Sequence, residues 1–136
     1  MNRLYLEDVE VGQRFVTGSH TVTAEEIIAF AKQFDPQPFH LDPEAAKDTF
    51  FGGLAASGWH TASITMRLMV EEGPQMVGGV IGASGEISWP NPTRPGDTLH
   101  VEAVIEDIKP SRSKPDRGMI ELRIETLNQD GGIVQV

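Results

Sequence analysis

The pattern of apolar and polar positions predicts a strand and then a helix near the start of the chain. Residues 14–22 alternate weakly and are rich in β-branched side chains, as is typical of a strand. Apolar residues then recur at helical spacing as far as Phe34. Thr23 and Glu26 have the spacing of a capping box, which marks the beginning of this helix. Because a residue before proline avoids the α conformation, we expect Pro36 to end it.

Two further helices are predicted before the chain turns to β structure. Asp42 precedes a proline and a glutamate, as an N-cap residue does, and the glycine pair at 52–53 ends this short helix. Residues 59–72 are the longest apolar helical stretch, with apolar side chains around much of the circumference. A helix that is apolar nearly all round is a buried one, so we expect this helix to form the centre of the fold.

The rest of the chain predicts strands. Apolar alternation is clearest in the third of four segments, which are 80–89, 98–108, 118–127 and 133–136. Glycines break the first segment, and a tight, proline-rich connection at 90–96 follows it. Asp130 and Gly131 are a hairpin turn signal before the last segment. The strand pattern of the last segment continues to the final residue, so we expect the last strand to continue beyond the sequence.

This element order predicts an α+β fold in which an antiparallel sheet wraps one long helix. With 136 residues the chain has the length of one domain, so we expect residues 1–136 to form a single unit. One such sheet leaves an edge and a face uncovered. A second copy of the protein usually covers them, which predicts a homodimer or a higher even-numbered assembly.

The composition of the chain limits the classes of molecule that it could bind. The net charge of −9 argues against a nucleic-acid partner and against an anionic membrane surface, because both bind basic proteins. The chain has no cysteine, which excludes disulfides, thiol nucleophiles and cysteine-based zinc sites. Residues 1–12 lack an apolar core, and no apolar run approaches the ~20 residues that span a bilayer. We therefore expect a cytoplasmic protein without a signal peptide.

The segment 34–42 holds the most informative chemistry. Asp35 and His40 lie close together on a stretch that two prolines stiffen, so their side chains are held at low entropic cost. Adding water next to a carbonyl needs a base for the water and an acid for the α-carbon, and such a pair can supply both. We expect Phe34 and Phe39 to keep the pair partly dry and to shift the titration of Asp35.

Ser57 and Gly58 precede the long helix and are candidates for stabilising an enolate oxygen. The first N–H groups of a helix lack internal partners and lie at the positive end of its dipole. Gly58 has no side chain, so a thioester oxygen can approach its N–H closely. The alternative is a glycine chosen for backbone shape alone.

These residues resemble the MaoC-like dehydratases and the related (R)-specific enoyl-CoA hydratases, whose motif is close to G-D-x-N-P-[LIV]-H. Asp35 and His40 match its catalytic residues, and Gly58 matches the glycine whose amide polarises the thioester. The resemblance continues through 85–99 and 110–118 and covers most of the chain. Two positions depart from the motif, because Phe34 replaces its glycine and Gln37 replaces its asparagine.

The resemblance implies a hot-dog fold and reversible hydration of a 2-enoyl thioester, most simply an acyl-CoA. No cofactor is implied, because the thioester itself acidifies the α-position. Asp35, His40 and Gly58 are then the catalytic residues. The predicted substrate-binding residues are Gln37, Phe39, Ser57, Trp59, Arg112 and Arg117. Two other classes stay open, a hot-dog thioesterase and a non-catalytic acyl-CoA-binding subunit.

The remaining candidates have simpler explanations beside the functional ones. A basic cluster suits coenzyme A phosphates but also a solvated loop, and it consists of Lys109, Arg112, Lys114 and Arg117. Trp89 and the prolines of 90–96 are structural or line an acyl channel. We expect His60 to be a satisfied helix histidine and His20 and His100 to be surface residues. No metal site is expected, because the spacing of the conceivable ligands His40, Asp42 and His60 matches no ligand signature.

Overall fold

The computed structural model describes residues 3–114 and 117–136. Residues 1 and 2, in the N-terminal segment predicted not to be a signal peptide, and residues 115 and 116, within the 110–118 motif, lie outside the described residues. The described chain forms one antiparallel sheet with the strand order β1-β2-β3-β4. Its strands are β1 (Arg14–Thr21), β2 (Thr98–Pro110), β3 (Gly118–Leu127) and β4 (Ile133–Gln135). The predicted strands at 14–22, 98–108, 118–127 and 133–136 are thus confirmed to within two residues at each end.

Four helices connect β1 to β2. They are α1 (Ala24–Phe34), α2 (Pro38–Leu41), α3 (Pro43–Ala46) and α4 (Gly58–Glu72), and a 3₁₀ turn at Leu6–Asp8 precedes β1. The capping box of Thr23 and Glu26 is present at the start of α1. Asp42 caps α3 as predicted, but α3 ends at Ala46 and not at the glycine pair 52–53. The turn α2 was not predicted. Pro38 begins it, since proline suits the first turn of a helix.

The core lies where α4 and α1 pack against the sheet. The buried side chains of this core belong to Val22, Ile27, Leu54, Ala56, Ile64, Leu68, Leu99, Val101 and Val134. Full burial of one large aliphatic side chain stabilises a fold by roughly 1.5–3 kcal/mol, so this cluster is the main support of the helix on the sheet. The loop from Leu54 to Ser57 is buried with it and leads directly into α4. The core therefore fixes the start of α4, where the candidate site lies.

The prediction that α4 is buried nearly all round is wrong for a single chain. Ile64 and Leu68 face the core, but Trp59, Met66 and Val70 lie on the opposite side and are 59%, 62% and 66% exposed. Their spacing places them along one helix face. The helix therefore has the apolar residues that the pattern indicated, but this chain buries only one of its faces. In the described part of the chain, no helix is long and apolar enough to cross a bilayer.

The predicted strand at 80–89 is also wrong for the isolated chain. This segment has no regular secondary structure, is exposed, and has no place in the sheet. Ser88 and Val136 exchange two backbone hydrogen bonds of 3.0 and 2.9 Å, which attach only its end. Val80 and Ile81 are 68% and 93% exposed. Alternation indicates which residues could form a strand, but a strand also needs a neighbour, and among the described residues this segment has one only at Ser88.

Candidate functional site

Asp35 and His40 form an ion pair at the end of α1. Asp35 is the C-cap residue of α1, and the single turn α2 then carries His40 back toward it. The distance from His40 Nε2 to Asp35 Oδ2 is 3.3 Å. The histidine side chain is 6% exposed and the aspartate side chain 21%. Thus the imidazole is buried, while the carboxylate keeps access to small molecules from outside.

A backbone carbonyl fixes the orientation of the His40 ring. His40 Nδ1 lies 2.6 Å from the oxygen of Ala55. Because a carbonyl oxygen only accepts hydrogen bonds, Nδ1 must carry a hydrogen. Nε2 is then the nitrogen that faces Asp35. Two acceptors at this distance would repel each other, so the geometry favours a proton held between Nε2 and the carboxylate.

The other groups around Asp35 favour its ionised form. Gln37 Nε2 donates to Asp35 Oδ1 at 2.6 Å. Burial raises the pKa of Asp35, but the donors of Gln37 and Ser57 and the charge of His40 lower it by more, so the pKa lies below that of an ordinary aspartate. A shifted titration was predicted from drying by Phe34 and Phe39. The cause is different, because Phe34 is 66% exposed and the hydrogen bonds and charge outweigh burial.

The N-terminus of α4 lies beside this pair. Ser57 is the N-cap residue, and its Oγ accepts from the N–H of Trp59 at 3.3 Å. The N–H of Gly58 has no hydrogen-bond partner in the described part of the chain. It is therefore one of the unsatisfied donors at the positive end of the helix dipole.

The lack of a side chain at Gly58 has a reason that the sequence does not show. A Cβ atom built on Gly58 would lie 2.6–2.9 Å from three atoms of the Trp89 indole. Trp89 itself is held by a hydrogen bond of 2.9 Å from Nε1 to Gln135 Oε1. The indole therefore packs directly on the backbone at the start of α4, and only glycine leaves it room.

These groups open into one pocket of about 580 Å³. Four aromatic residues line it, Phe50, Phe51, Trp59 and Trp89. The two indoles pack edge to face with centroids 5.4 Å apart. Thr61 and Thr93 line it as well, and their hydroxyl oxygens are 3.0 Å apart. The pocket thus combines apolar walls with a few polar groups, as small-molecule sites usually do.

The structure brings five of the nine predicted site residues together around the pocket and places the other four outside its lining. The predicted residues that line the pocket are Asp35, His40, Ser57, Gly58 and Trp59. Gln37 binds the Asp35 carboxylate and Phe39 packs edge to face on the His40 ring, with centroids 4.6 Å apart. Neither of them lines the pocket, so each contacts a catalytic candidate rather than the pocket space.

Arg112 and Arg117 lie away from the pocket of their own chain. The hairpin of β2 and β3 runs from the pair His100–Leu127 near β4 to the pair Pro110–Gly118, where their loop begins. At about 3.3 Å per residue, the loop lies roughly 30 Å along the strand from the β4 end. Both side chains are exposed. Their contact with a nucleotide stays a prediction, and it requires a pocket other than that of the same chain.

Sequence reasoning missed residues that support the site. Ala55 supplies the carbonyl for His40. Arg94 lines the pocket and hydrogen-bonds to the loop before Ala55. Arg94 lies between Pro92 and Pro95 in the 85–99 segment, yet nothing in that local pattern shows its partners, which lie about forty residues earlier. Asn91 also lines the pocket and donates to the carbonyl of Ile133 at 2.8 Å.

His60 is buried but not satisfied, contrary to expectation. Its ring stacks on Phe30 with centroids 4.9 Å apart, and Nδ1 has no hydrogen-bond partner among the described residues. Nε2 is 4.0 Å from Glu26 Oε2, and Glu26 also binds His20 at 3.0 Å. Burial lowers the pKa of His60 and His20 lowers it further, while the Glu26 carboxylate opposes this. Within residues 3–114 and 117–136, no group of three or more histidine and carboxylate side chains is arranged to hold a metal ion.

Comparison with known proteins identifies relatives along nearly the whole chain. Residues 8–125 match the MaoC-like domain family. The structure of a MaoC-like dehydratase from Rhodospirillum rubrum superposes with a TM-score of 0.94 at 60% identity, over 97% of this chain and 90% of that one. YdeM of Bacillus subtilis, an uncharacterised protein, is 35% identical over 91% of this chain and 87% of its own length. A 3-hydroxybutyryl-CoA dehydratase of Methylorubrum extorquens is 28% identical over 82% of this chain and 69% of its length. The predicted α+β hot-dog fold is thereby confirmed.

Proposed function

The chain belongs to the MaoC-like domain family, and on this premise we propose that it is a hydratase of 2-enoyl thioesters. It adds water reversibly to the double bond and gives a 3-hydroxyacyl thioester. One observation carries the proposal. The Asp35–His40 ion pair opens into the same pocket as the free N–H of Gly58, so proton-transfer groups and an oxyanion donor face one space.

Asp35 and His40 divide the proton transfers between them. In hydration, the ionised Asp35 accepts a proton from water while the water oxygen bonds to C3 of the enoyl group. The imidazolium of His40 gives its Nε2 proton to C2. Asp35 then returns a proton to His40 across the 3.3 Å contact, which restores the pair. Acid–base groups of this kind contribute roughly 10²- to 10⁴-fold to rate.

Gly58 is proposed to stabilise the enolate that forms between these transfers. When water adds to C3, negative charge moves to the thioester oxygen. A donor that is already oriented needs no reorganisation at that moment, and one such donor is worth roughly 3 kcal/mol of transition-state stabilisation. The N–H of Gly58 qualifies because neither the helix nor a side chain uses it.

Coenzyme A is the proposed carrier, and a short enoyl group is the first substrate to test. The support is the dehydratase of Methylorubrum extorquens, which acts on 3-hydroxybutyryl-CoA according to its name. The pocket of about 580 Å³, which Trp59 and Trp89 help to line, has room for such a group. The acyl-CoA is thus the proposed partner of the pocket.

A second copy of the chain is the proposed partner of the exposed apolar surface. This surface consists of the outer face of α4, with Met66 and Val70, and the unpaired segment 80–89. An unpaired extended segment and an apolar helix face of this kind are unusual on a monomer. Pairing with a second copy covers both at once, and gives a homodimer or a higher even-numbered assembly.

Incubation with crotonyl-CoA tests the proposed reaction. Chromatography of the thioesters should show conversion to 3-hydroxybutyryl-CoA up to an equilibrium, and the same equilibrium should be reached from the hydroxyacyl side. Release of free coenzyme A would instead identify a thioesterase. Saturable binding of the thioester without any product would identify a non-catalytic binding subunit.

A further inference from the structure

The guanidinium group of Arg94 binds the backbone carbonyls of a loop and does not bind a carboxylate among the described residues. Its Nη1 donates to the carbonyl oxygens of Gly53 and Leu54 at 3.0 and 3.2 Å, and its Nη2 donates to that of Phe51. No carboxylate of the described residues forms an ion pair with it. Although the net charge of the protein is −9, the role of Arg94 therefore depends on the donor geometry of its guanidinium group and not on charge pairing.

The loop held by Arg94 ends at the residue that orients His40. Ala55 follows Leu54 directly, and its carbonyl accepts from His40 Nδ1. The N–H of Ala55 donates to the carbonyl of Phe39 at 3.0 Å, so two bonds tie Ala55 to the turn that carries His40. On the other side, the N–H of Ala56 donates to the carbonyl of Thr93 at 2.9 Å. The position of the Ala55 carbonyl thus depends on the 92–97 turn.

The 92–97 turn is itself rigidly held. The N–H of Arg94 donates to Asp97 Oδ2 at 2.8 Å, and Gln129 Nε2 donates to Asp97 Oδ1 at 3.1 Å. Asp97 is 8% exposed. Arg94 therefore extends from a fixed base, and its planar group holds three carbonyls of the loop in one arrangement.

We propose that Arg94 is a positioning residue for the reaction, because it fixes the Ala55 carbonyl and thereby the ring orientation and tautomer of His40. The inference rests on the proposed hydratase function. It deepens that function by adding a residue that acts through His40. Arg94 also lines the pocket, but its Nη1 and Nη2 atoms are bonded to the loop carbonyls. A lysine has no planar fork and cannot reproduce all three bonds, so arginine is required.

The test compares Arg94→Gln with Arg94→Lys and with a control, Arg14→Gln. The control makes the same substitution at an arginine that pairs with Glu102 on the sheet, and it leaves Arg94 and the 92–97 turn intact. Misplacement of a catalytic group by about 1 Å can cost about 100-fold in rate, so Arg94→Gln should lower kcat by up to about 100-fold with little change in KM. Arg94→Lys should recover part of this loss, and Arg14→Gln should stay near the wild-type kcat.

Nitrogen-15 NMR of the histidine rings supplies a readout that does not depend on activity. In the wild type, at a pH where the imidazole is neutral, His40 should show one tautomer with hydrogen on Nδ1. In Arg94→Gln, or in Arg94→Lys if the glutamine variant does not fold, it should show a mixture of tautomers. An unchanged tautomer in both variants would overturn the proposal, as would a rise in KM at constant kcat, which marks a substrate-binding residue. An inactive wild type would refute the hydratase function alone, since the NMR comparison would still report on Arg94 and His40.

Discussion

His40 and Ala55 are fifteen residues apart in the chain, and the His40 Nδ1 atom lies 2.6 Å from the Ala55 carbonyl oxygen. This contact determines which ring nitrogen faces Asp35. It also connects the candidate catalytic pair to the buried loop that leads into α4. The two halves of the site, the proton-transfer pair and the helix N-terminus, are therefore joined by one short stretch of backbone. The predictions below separate their contributions.

The catalytic pair is expected to act as a unit. Asp35→Asn and His40→Ala should each lower kcat by roughly 100-fold or more, the scale typical of acid–base groups. The double variant should lose little beyond the worse single variant, because each transfer depends on the other group. Steady-state kinetics with an enoyl-CoA measures this. A Gln33→Ala variant, on the exposed side of α1, is the control and should match the wild type.

Gly58→Ala should destabilise the fold through Trp89. The added methyl would lie within 3 Å of the indole, and overpacking of this kind usually costs about 1–3 kcal/mol. Denaturant unfolding measures the loss. Combining Gly58→Ala with Trp89→Leu should restore stability relative to Gly58→Ala alone. If the single variant is as stable as the wild type, the indole does not constrain Gly58.

Asp35 should make folding stability sensitive to acid. Its pKa is lowered in the folded state, so the unfolded chain binds the proton first as the pH falls. The stabilisation is complete above the pKa of the unfolded aspartate and is lost as the pH falls through the lower pKa of the fold. Denaturant unfolding across this range should show a smaller loss for Asp35→Asn than for the wild type. Parallel curves for the two proteins would contradict the pKa shift.

His60 should produce a second pH dependence at milder acidity. Its pKa is lowered, chiefly by burial, so the fold keeps the ring neutral. Stability should be full above the pKa of an unfolded histidine and should decline as the pH falls from there toward the lower pKa of the fold. His60→Leu should remove this decline, whereas His100→Leu, at a more exposed position on β2, should leave it in place.

The outer face of α4 should be needed for assembly. Met66→Glu places a charge on the exposed apolar face, and a charge buried in an interface without a partner is strongly unfavourable. Sedimentation should show an even-numbered assembly for the wild type and a smaller species for this variant. Lys32→Glu, on the exposed side of α1, should keep the wild-type mass. A wild-type monomer at micromolar concentration would contradict the proposed homodimer.

The sequence predicted those features that depend on neighbours in the chain. The capping box at Thr23, the cap at Asp42 and the Asp35–His40 pair all involve residues within a few positions of each other. The contact of Trp89 with Gly58 and the bonds from Arg94 to the 51–54 loop join distant segments, and no local pattern encodes such partners. The short turn α2 was missed because its first residue, Pro38, was interpreted only as a proline that stiffens the chain and not as the start of a helical turn.

The errors at 80–89 and α4 have a common physical cause. Both segments have the apolar content of buried structure, but segment 80–89 and the outer face of α4 are exposed in one chain. An apolar pattern shows that a surface should be covered, but it does not show whether the same chain or another copy covers it. The prediction of a second copy from the uncovered sheet is consistent with both errors, and sedimentation will test it.

The most direct test of the proposed function is a reaction with crotonyl-CoA in water labelled with oxygen-18. We expect the label to enter the C3 hydroxyl of 3-hydroxybutyryl-CoA while the thioester stays intact, and we expect Asp35→Asn and His40→Ala to lose this incorporation. Mass spectrometry of the acyl-CoA products locates the label. Label in a free carboxylic acid together with released coenzyme A, or label at C3 at the wild-type rate in both variants, would contradict the proposed function.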